Sequence, residues 1–332
     1  MKILITGSEG FIGSHLIETL VNKGHKVRCF VLYNSFNSLG WIDNLSKNIK
    51  RKIEIHFGDI RDIKSVTKAV NGCQKIINLA SLIAIPYSYQ APLSYINTNI
   101  IGTTNLLQVA QEKKIKKFVQ ISTSEVYGSA KHLPMSENHS LNAQSPYAAS
   151  KIGADQMALS FYKSFGLPVV IIRPFNTFGP RQSQRAIIPT IITQALKAKT
   201  VKVGSTFPKR DFTYVADTCN GILGALDSDK KKIIGETINL GSNFSISVSS
   251  LILEISKILG KKLIIKKENI RKRPINSEVD NLLSDNRKAK KLLNWKIKYS
   301  GRKKFREGLK QTIKWYSDKE NLKLFSSDKY VL

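Results

Sequence analysis

Five apolar-leaning residues, KILIT (2–6), run directly into G-S-E-G-F-I-G (7–13), and a helical pattern follows from about Ser14 to Lys23. A short apolar run, a glycine turn and a helix within 23 residues predict a strand–turn–helix unit. The spacing of Gly7, Gly10 and Gly13 lets the chain turn tightly, lets a pyrophosphate approach the backbone, and packs helix against strand. The helix N-terminus then offers free N–H groups to the anion. An ordinary βα turn is the competing reading of the same triplet.

The unit repeats. KVRCFVLY (26–33), KIEIHFGD (52–59), KIINLAS (75–81), KFVQIS (117–122) and LPVVIIRP (167–174) read as further strands by apolar content and β-branching. Residues 91–114 read as one long amphipathic helix. Strand–helix alternation of this kind predicts an α/β chain with a doubly wound parallel sheet of the Rossmann type. After Arg173 the rhythm breaks. Helices are expected at 186–198, 215–226 and 247–260, the last opening on a serine and stopping at Gly260, with strands at 201–204 and 237–241. The expected division is a dinucleotide-binding domain of residues 1–173 plus about 212–240, and a smaller interleaved domain of about 174–211 plus 241–332.

At 332 residues, with 42% hydrophobic content, the chain suits one large or two modest domains. No apolar stretch reaches the length of a membrane span, and the N-terminus reads as a strand rather than a secretory leader. Cys29, Cys73 and Cys219 are odd in number and far apart, so they suggest neither a metal site nor a disulfide framework, and a cytoplasmic setting fits. The net charge of +29 has two readings: a nucleic-acid partner, or a lysine-rich chain with a polyanionic small substrate. The lysines are scattered, with no arginine-rich arm and no aromatic–basic platform, so no nucleic-acid partner is expected. The densest stretch, 261–273, sets seven basic side chains against Glu268, and places Arg271 and Arg273 where they could reach a phosphate or lie in solvent.

The acid that usually reads the adenosine ribose would close the second strand. Tyr33 and Asn34 stand there, followed by Ser35, Asn37 and Ser38. Neither a carboxylate to repel a 2′-phosphate nor a cation to attract one follows the strand, so NADP stays open beside NAD, with amides and hydroxyls suiting the neutral ribose slightly better. Asp59 and Ile60, after the third strand, are placed to meet the adenine; Asp59 reads equally well as a turn residue.

Ser145 and Pro146 start a helix, as cap and first residue. Tyr147 and Lys151 then share a face. A phenol with a pKa of about 10 is a poor base; an adjacent ammonium and a cationic nicotinamide favour the phenolate, and a drop of roughly three units needs about 4 kcal/mol. Thr123, Ser124 and Glu125 lie where the fifth strand leaves the sheet, outside the carboxyl ends of the strands, where ligands of open α/β sheets bind. A hydroxyl and a phenol suffice to move a hydride at a carbinol carbon. The carboxylate adds a second proton-transfer group, suited to the acidic C–H beside a new ketone.

GxxGxxG at 7–13, NLAS at 78–81, TSEVYG at 123–128, Y-x-x-x-K at 147–151 and RPFNTFGPRQ at 173–182 together resemble the extended short-chain dehydrogenase/reductase family, over nearly the whole chain. The Thr-(Asp or Ser)-Glu triplet resembles that of nucleotide-sugar 4,6-dehydratases and some decarboxylases. Residues 82–103, 145–162 and 173–194 look most like N-acetylhexosamine 4,6-dehydratases of the legionaminic-acid type, a subgroup that also carries the YNSFNS of 33–38. The resemblance implies tightly bound NAD, held by Gly7, Gly10, Phe11, Ile12 and Gly13, by Tyr33, Asn34, Asp59 and Ile60, and by Leu79, Ala80, Ser81 and Asn99 together with Tyr147 and Lys151. It implies a UDP- or GDP-N-acetylglucosamine substrate oxidised at C4 by Tyr147, Lys151 and Thr123, with Glu125 acting at C5 and Ser124 helping water leave C6. Asn176, Arg210 and Arg273 are expected near the substrate pyrophosphate, Tyr87 and Asn99 read as sugar-pocket or packing residues, and Arg185 reads as a substrate residue flanking the cleft or as a structural ion pair. Arg181 reads as a cleft residue or a structural ion pair. The helices at 91–114 and 146–165 resemble those through which relatives form a homodimer. The rivals are UDP-glucuronate decarboxylation, 4-epimerisation and a non-catalytic nucleotide- or RNA-binding protein.

Overall fold

The computed structural model describes residues 1–228 and 231–325. Its centre is a seven-stranded sheet in the order β10-β6-β5-β4-β1-β2-β3: β1 (Lys2–Thr6), β2 (Lys26–Leu32), β3 (Ile53–Gly58), β4 (Lys75–Asn78), β5 (Lys117–Ile121), β6 (Val169–Pro174) and β10 (Thr237–Leu240). Every pairing in it is parallel. The expected doubly wound α/β fold is what forms.

Both faces of the sheet are covered at its centre, so its central strands read as continuous apolar runs, while the edge strand β3 (IEIHFG) alternates. Ile3, Ile5, Val119, Val170 and Ile172 face one core with Leu16, Ile17 and Leu20 of the helix Phe11–Asn22. Leu4, Phe118, Val169 and Ile171 face the other, against Leu106, Leu107 and Ala110 of the helix Gly102–Glu112. Fully burying one such side chain contributes about 1.5–3 kcal/mol, which fixes the register and hence the level at which every strand ends.

Beyond this sheet lie β7 (Asn176–Phe178), β8 (Thr200–Val203), β9 (Lys209–Tyr214), β11 (Ser245–Ser247) and β12 (Ile264–Lys267). They pair as β11-β9-β7 and β12-β8. The segment expected as one helix over 91–114 is divided: Pro92–Tyr95 is α-helical, Ile96–Ile101 is a π segment, and Gly102–Glu112 resumes the α form. Apolar periodicity does not reveal such a widened turn. Among the described residues, no helix is long and apolar enough to cross a membrane.

Candidate active site

The strand ends and the loops beyond them enclose a cavity of about 1160 Å³. That exceeds the ~300–1,000 Å³ of a typical single-ligand pocket, and suits two ligands end to end.

One end is built from the glycine turn. Gly7 (φ +63°) adopts the left-handed conformation, and a Cβ there would lie 2.9 Å from the Ala80 nitrogen; one on Gly13 would lie 2.4 Å from the Gly7 carbonyl oxygen. Only glycine lets the turn, β4 and the helix come this close. The Thr6 hydroxyl donates to Asn78 Oδ1 and accepts from the N–H groups of Leu79 and Ala80, which pins the two strand ends together. The helix Phe11–Asn22 starts at Gly10 with no side-chain cap, so its first N–H groups are free for an anion. This cradle fits a dinucleotide pyrophosphate. Gly7, Gly10, Phe11, Ile12, Gly13, Asp59, Ile60, Leu79, Ala80 and Ser81 all line it.

The other end carries the reactive groups. Ser145 Oγ accepts from the Ala148 N–H at 3.1 Å and Pro146 occupies the first turn, so the helix Pro146–Phe165 starts as expected and aims Tyr147 at the cavity. Tyr147 is 7% exposed and lines the cavity together with Thr123. Thr123 caps a 3₁₀ turn, Ser124–Tyr127, its Oγ1 accepting from the Glu125 N–H at 3.2 Å. Successive residues of such a turn point about 120° apart. Glu125 joins Thr123 and Tyr147 on the cavity wall, while Ser124, 2% exposed, does not line it. Ser124 is buried in the same turn, directly before Glu125.

Burial pushes the Tyr147 phenol well above its ordinary pKa; the Thr123 side chain opposes this, and the nearby Glu125 adds to it. Lys151 is buried and lowered to about 8 by desolvation, with Asp155 pulling the other way. Its Nζ donates to the Ile121 carbonyl at 2.7 Å. The ammonium thus sits on the strand end. Beneath it, Ser122 and Arg173 both bind Asp155 Oδ2, at 2.7 Å and 3.0 Å, and Arg173 also reaches the Tyr127 hydroxyl at 3.1 Å.

Other expectations divide. Tyr87, Asn176, Arg185 and Arg273 line the cavity. Asn176 Oδ1 is buried without a partner. Arg273 Nη1 stands 3.4 Å from Glu125 Oε2, so it faces the catalytic-type acid rather than lying in solvent. Arg181 is forked onto Glu18, with a shortest contact of 2.8 Å, and lines the cavity as well. Arg210 does not line the cavity: it is 7% exposed, donating to the Val279 carbonyl and paired with Glu278 at 3.1 Å. Asn99 is likewise corrected. The π segment turns it inward, where all its polar atoms are engaged by Ser81, Leu82 and Ser150, and Ser94 and Thr98 line the cavity instead. Tyr33 is 71% exposed, and Asn34 uses its amide in a turn with Leu32, Phe36 and Ser38; neither lines the cavity. Asp59 accepts from the Arg61 N–H and guanidinium, as a turn residue does, while remaining on the wall. Glu9, Trp41 and Leu324 line the cavity without having been foreseen. Glu9 is hidden as a variable position inside the glycine motif, and the other two come from distant segments with no motif.

Residues 4–312 match the family model described as GDP-mannose 4,6 dehydratase. A curated relative, the UDP-N-acetyl-alpha-D-glucosaminuronate decarboxylase of Bacillus cytotoxicus, is 32% identical over 96% of this chain and 99% of its own length. Among solved structures, UDP-glucuronic acid 4-epimerase from Bacillus cereus, in complex with UDP-glucuronic acid and NAD, superposes with a TM-score of 0.86 at 28% identity, covering 98% of this chain and 100% of that one. DesIV, a dTDP-glucose 4,6-dehydratase from Streptomyces venezuelae with NAD bound, gives 0.85 at 27% identity, covering 96% and 98%.

Proposed function

We propose a specific reaction for this chain, which belongs to the extended short-chain dehydrogenase/reductase family of NAD-dependent nucleotide-sugar dehydratases, epimerases and decarboxylases. It is a 4,6-dehydratase that converts a UDP- or GDP-linked N-acetylglucosamine to the 4-keto-6-deoxy sugar. The observation that carries this reading is the meeting of the Tyr147 phenol, the Thr123 hydroxyl and the Glu125 carboxylate on one wall. N-acetylglucosamine as the sugar rests on the likeness of residues 82–103, 145–162 and 173–194 to N-acetylhexosamine dehydratases.

The glycine turn with Leu79, Ala80 and Ser81 holds the dinucleotide. When bound, NAD supplies a hydride acceptor for C4, a hydride donor for C6, and a cationic ring that favours the phenolate. Tyr147 takes the C4 hydroxyl proton, with Thr123 orienting the hydroxyl and Lys151 contributing positive charge below the phenol. The C4 ketone acidifies C5–H. Glu125 removes that proton and passes it to the C6 hydroxyl, which leaves as water with Ser124 assisting at the leaving oxygen. A proton from solvent then adds to C5 while Tyr147 releases the one it took at C4, so the net loss is one water. Asn176 and Arg185, both on the cavity wall, donate to the substrate pyrophosphate in this reading.

One observation favours a second reading. Arg273 beside Glu125 is the cation that a sugar carboxylate would need, so a hexuronate decarboxylase fits the same wall. Incubation with a panel of nucleotide sugars, read by mass spectrometry, separates the readings. Loss of water supports the dehydratase, loss of carbon dioxide the decarboxylase, and unchanged mass with inverted C4 the epimerase. Retention on RNA with no turnover of any nucleotide sugar would overturn all three. A homodimer is part of the proposal: Leu93, Ile96 and Ile101 leave exposed apolar surface on the helical segment Pro92–Glu112. A monomer by light scattering at micromolar concentration would remove that part alone.

A further inference from the structure

The strand-end acid that reads an adenosine ribose in dinucleotide folds is missing after β2, yet a carboxylate occupies that place. Glu9, inside the glycine turn, reaches across so that its Oε1 accepts from the N–H of Leu32, the last residue of β2, at 3.1 Å. Its backbone is fixed as tightly. The Trp41 N–H donates to the Glu9 carbonyl at 3.0 Å. Gly40, at φ +55°, approaches so closely that a Cβ there would lie 2.8 Å from that oxygen. Glu9 lines the cavity beside Leu32, Ser38 and Trp41. Its second oxygen, Oε2, is buried with no hydrogen-bond partner. A native interior seldom leaves a carboxylate oxygen unmet, and such a group calls for a function.

The charges around it point the same way. Asp43 and Asp59 line this end as well, and the cation that lines it, Arg61, is held on Asp59 through Nε at 2.9 Å. A ribose 2′-phosphate would bring a charge of about −1.5 to −2 to a wall of three carboxylates whose arginine is already paired. A ribose hydroxyl would bring a donor to an oxygen that lacks one.

We propose that Glu9 selects the cofactor: from the glycine turn it accepts from the adenosine ribose hydroxyls and excludes a 2′-phosphate, the task that an acid closing β2 performs in other dinucleotide folds. This rests on the reading of the cavity as a dinucleotide site. It goes beyond that reading in naming the residue that sets NAD against NADP, a choice the residues after β2 leave open.

The test is direct binding, independent of turnover. The full chain, freed of nucleotide, is titrated calorimetrically with NAD⁺ and with NADP⁺, for the wild type and for Glu9→Gln and Glu9→Ala. Glu9→Gln keeps an acceptor for the Leu32 N–H and removes the charge, so it keeps the inference testable should Glu9→Ala loosen the turn. The wild type is expected to bind NAD⁺ at least about a hundredfold more tightly than NADP⁺, and Glu9→Gln to narrow that ratio to about tenfold or less, chiefly by gain of NADP⁺. A ratio unchanged in Glu9→Gln, or a wild type that binds both equally, overturns the inference while leaving the dinucleotide site standing. A wild type that binds neither overturns the site reading itself.

Discussion

Two carboxylates line the same cavity and have opposite surroundings. Glu125 faces a guanidinium, Arg273, at 3.4 Å. Glu9 faces one backbone N–H and has an oxygen with no partner. Each is presented by a turn that follows a strand of the same sheet, Glu9 after β1 and Glu125 after β5. The difference lies in what stands across from them. A carboxylate opposite a cation can exchange partners as charge moves on a substrate, which suits proton transfer. One set against a peptide N–H and short of a donor is poised to accept from a neutral hydroxyl, which suits recognition. The residue type is the same, and the partner decides the task.

The largest effect is expected where the reactive wall is broken at its centre. Tyr147→Phe removes the group proposed to take the C4 proton, so both cofactor reduction and product formation should fall by about 10²–10⁴-fold, followed by absorbance of the reduced nicotinamide and by mass spectrometry. Glu125→Gln should cost product formation a similar factor while leaving cofactor reduction measurable, because oxidation at C4 does not use that carboxylate. Dehydration at the wild-type rate in Glu125→Gln would remove Glu125 from the reaction and dissolve the contrast with Glu9.

A smaller effect probes the cation. Arg273→Ala leaves Glu125 without its guanidinium, and kcat/KM is expected to fall about tenfold, with less than that for Arg273→Lys, which keeps the charge and loses the fork. If the substrate is a hexuronate, KM should carry more of that loss than kcat does. The pH dependence reports on Lys151. Its pKa is lowered to about 8, so it is charged below that value and loses its charge as pH rises through it. Activity that needs the ammonium should therefore decline above about pH 8, and Lys151→Arg should move that alkaline limb upward. A limb that stays in place in Lys151→Arg assigns it to another group.

The fold was legible because its evidence is local and repeated. KILIT with its glycines, the alternating strands, and the Ser-Pro start of the Tyr147 helix each declare themselves within a few residues. The reactive wall was legible for the same reason, since Thr123, Glu125 and Tyr147 sit in short motifs at strand and helix ends. What stayed hidden depends on rotation and on distance along the chain. Nothing in the order Thr-Ser-Glu says that the three residues form a 3₁₀ turn capped by Thr123. The apolar pattern around Asn99 does not disclose a π segment, and PKRDF does not show that Glu278 claims Arg210. Arg273 meets Glu125 across 148 positions of sequence. Glu9 was visible as a letter but not as a ligand, because its meaning comes from the end of β2 lying beside it.

The smallest expected effect falls on stability, and it separates the two acids without any substrate. Burial raises the Glu9 pKa above its ordinary value, and the hydrogen bond from Leu32 only partly offsets this. A carboxyl whose folded pKa is raised binds its proton more tightly in the folded chain. Its favourable contribution is present at low pH and is lost as pH rises through the raised folded value. Nucleotide-free protein should therefore lose some stability between about pH 4 and neutrality on account of Glu9, and Glu9→Gln should remove that loss by about 1 kcal/mol or less. Thermal unfolding at several pH values, with and without NAD⁺, measures it. Saturating cofactor should erase the difference at neutral pH if the ribose supplies the donor that Glu9 Oε2 lacks. A Glu9→Gln chain whose unfolding follows the wild type at every pH, with and without NAD⁺, would mean that Oε2 is already well solvated, and that the carboxylate at this end is as settled as the one opposite Arg273.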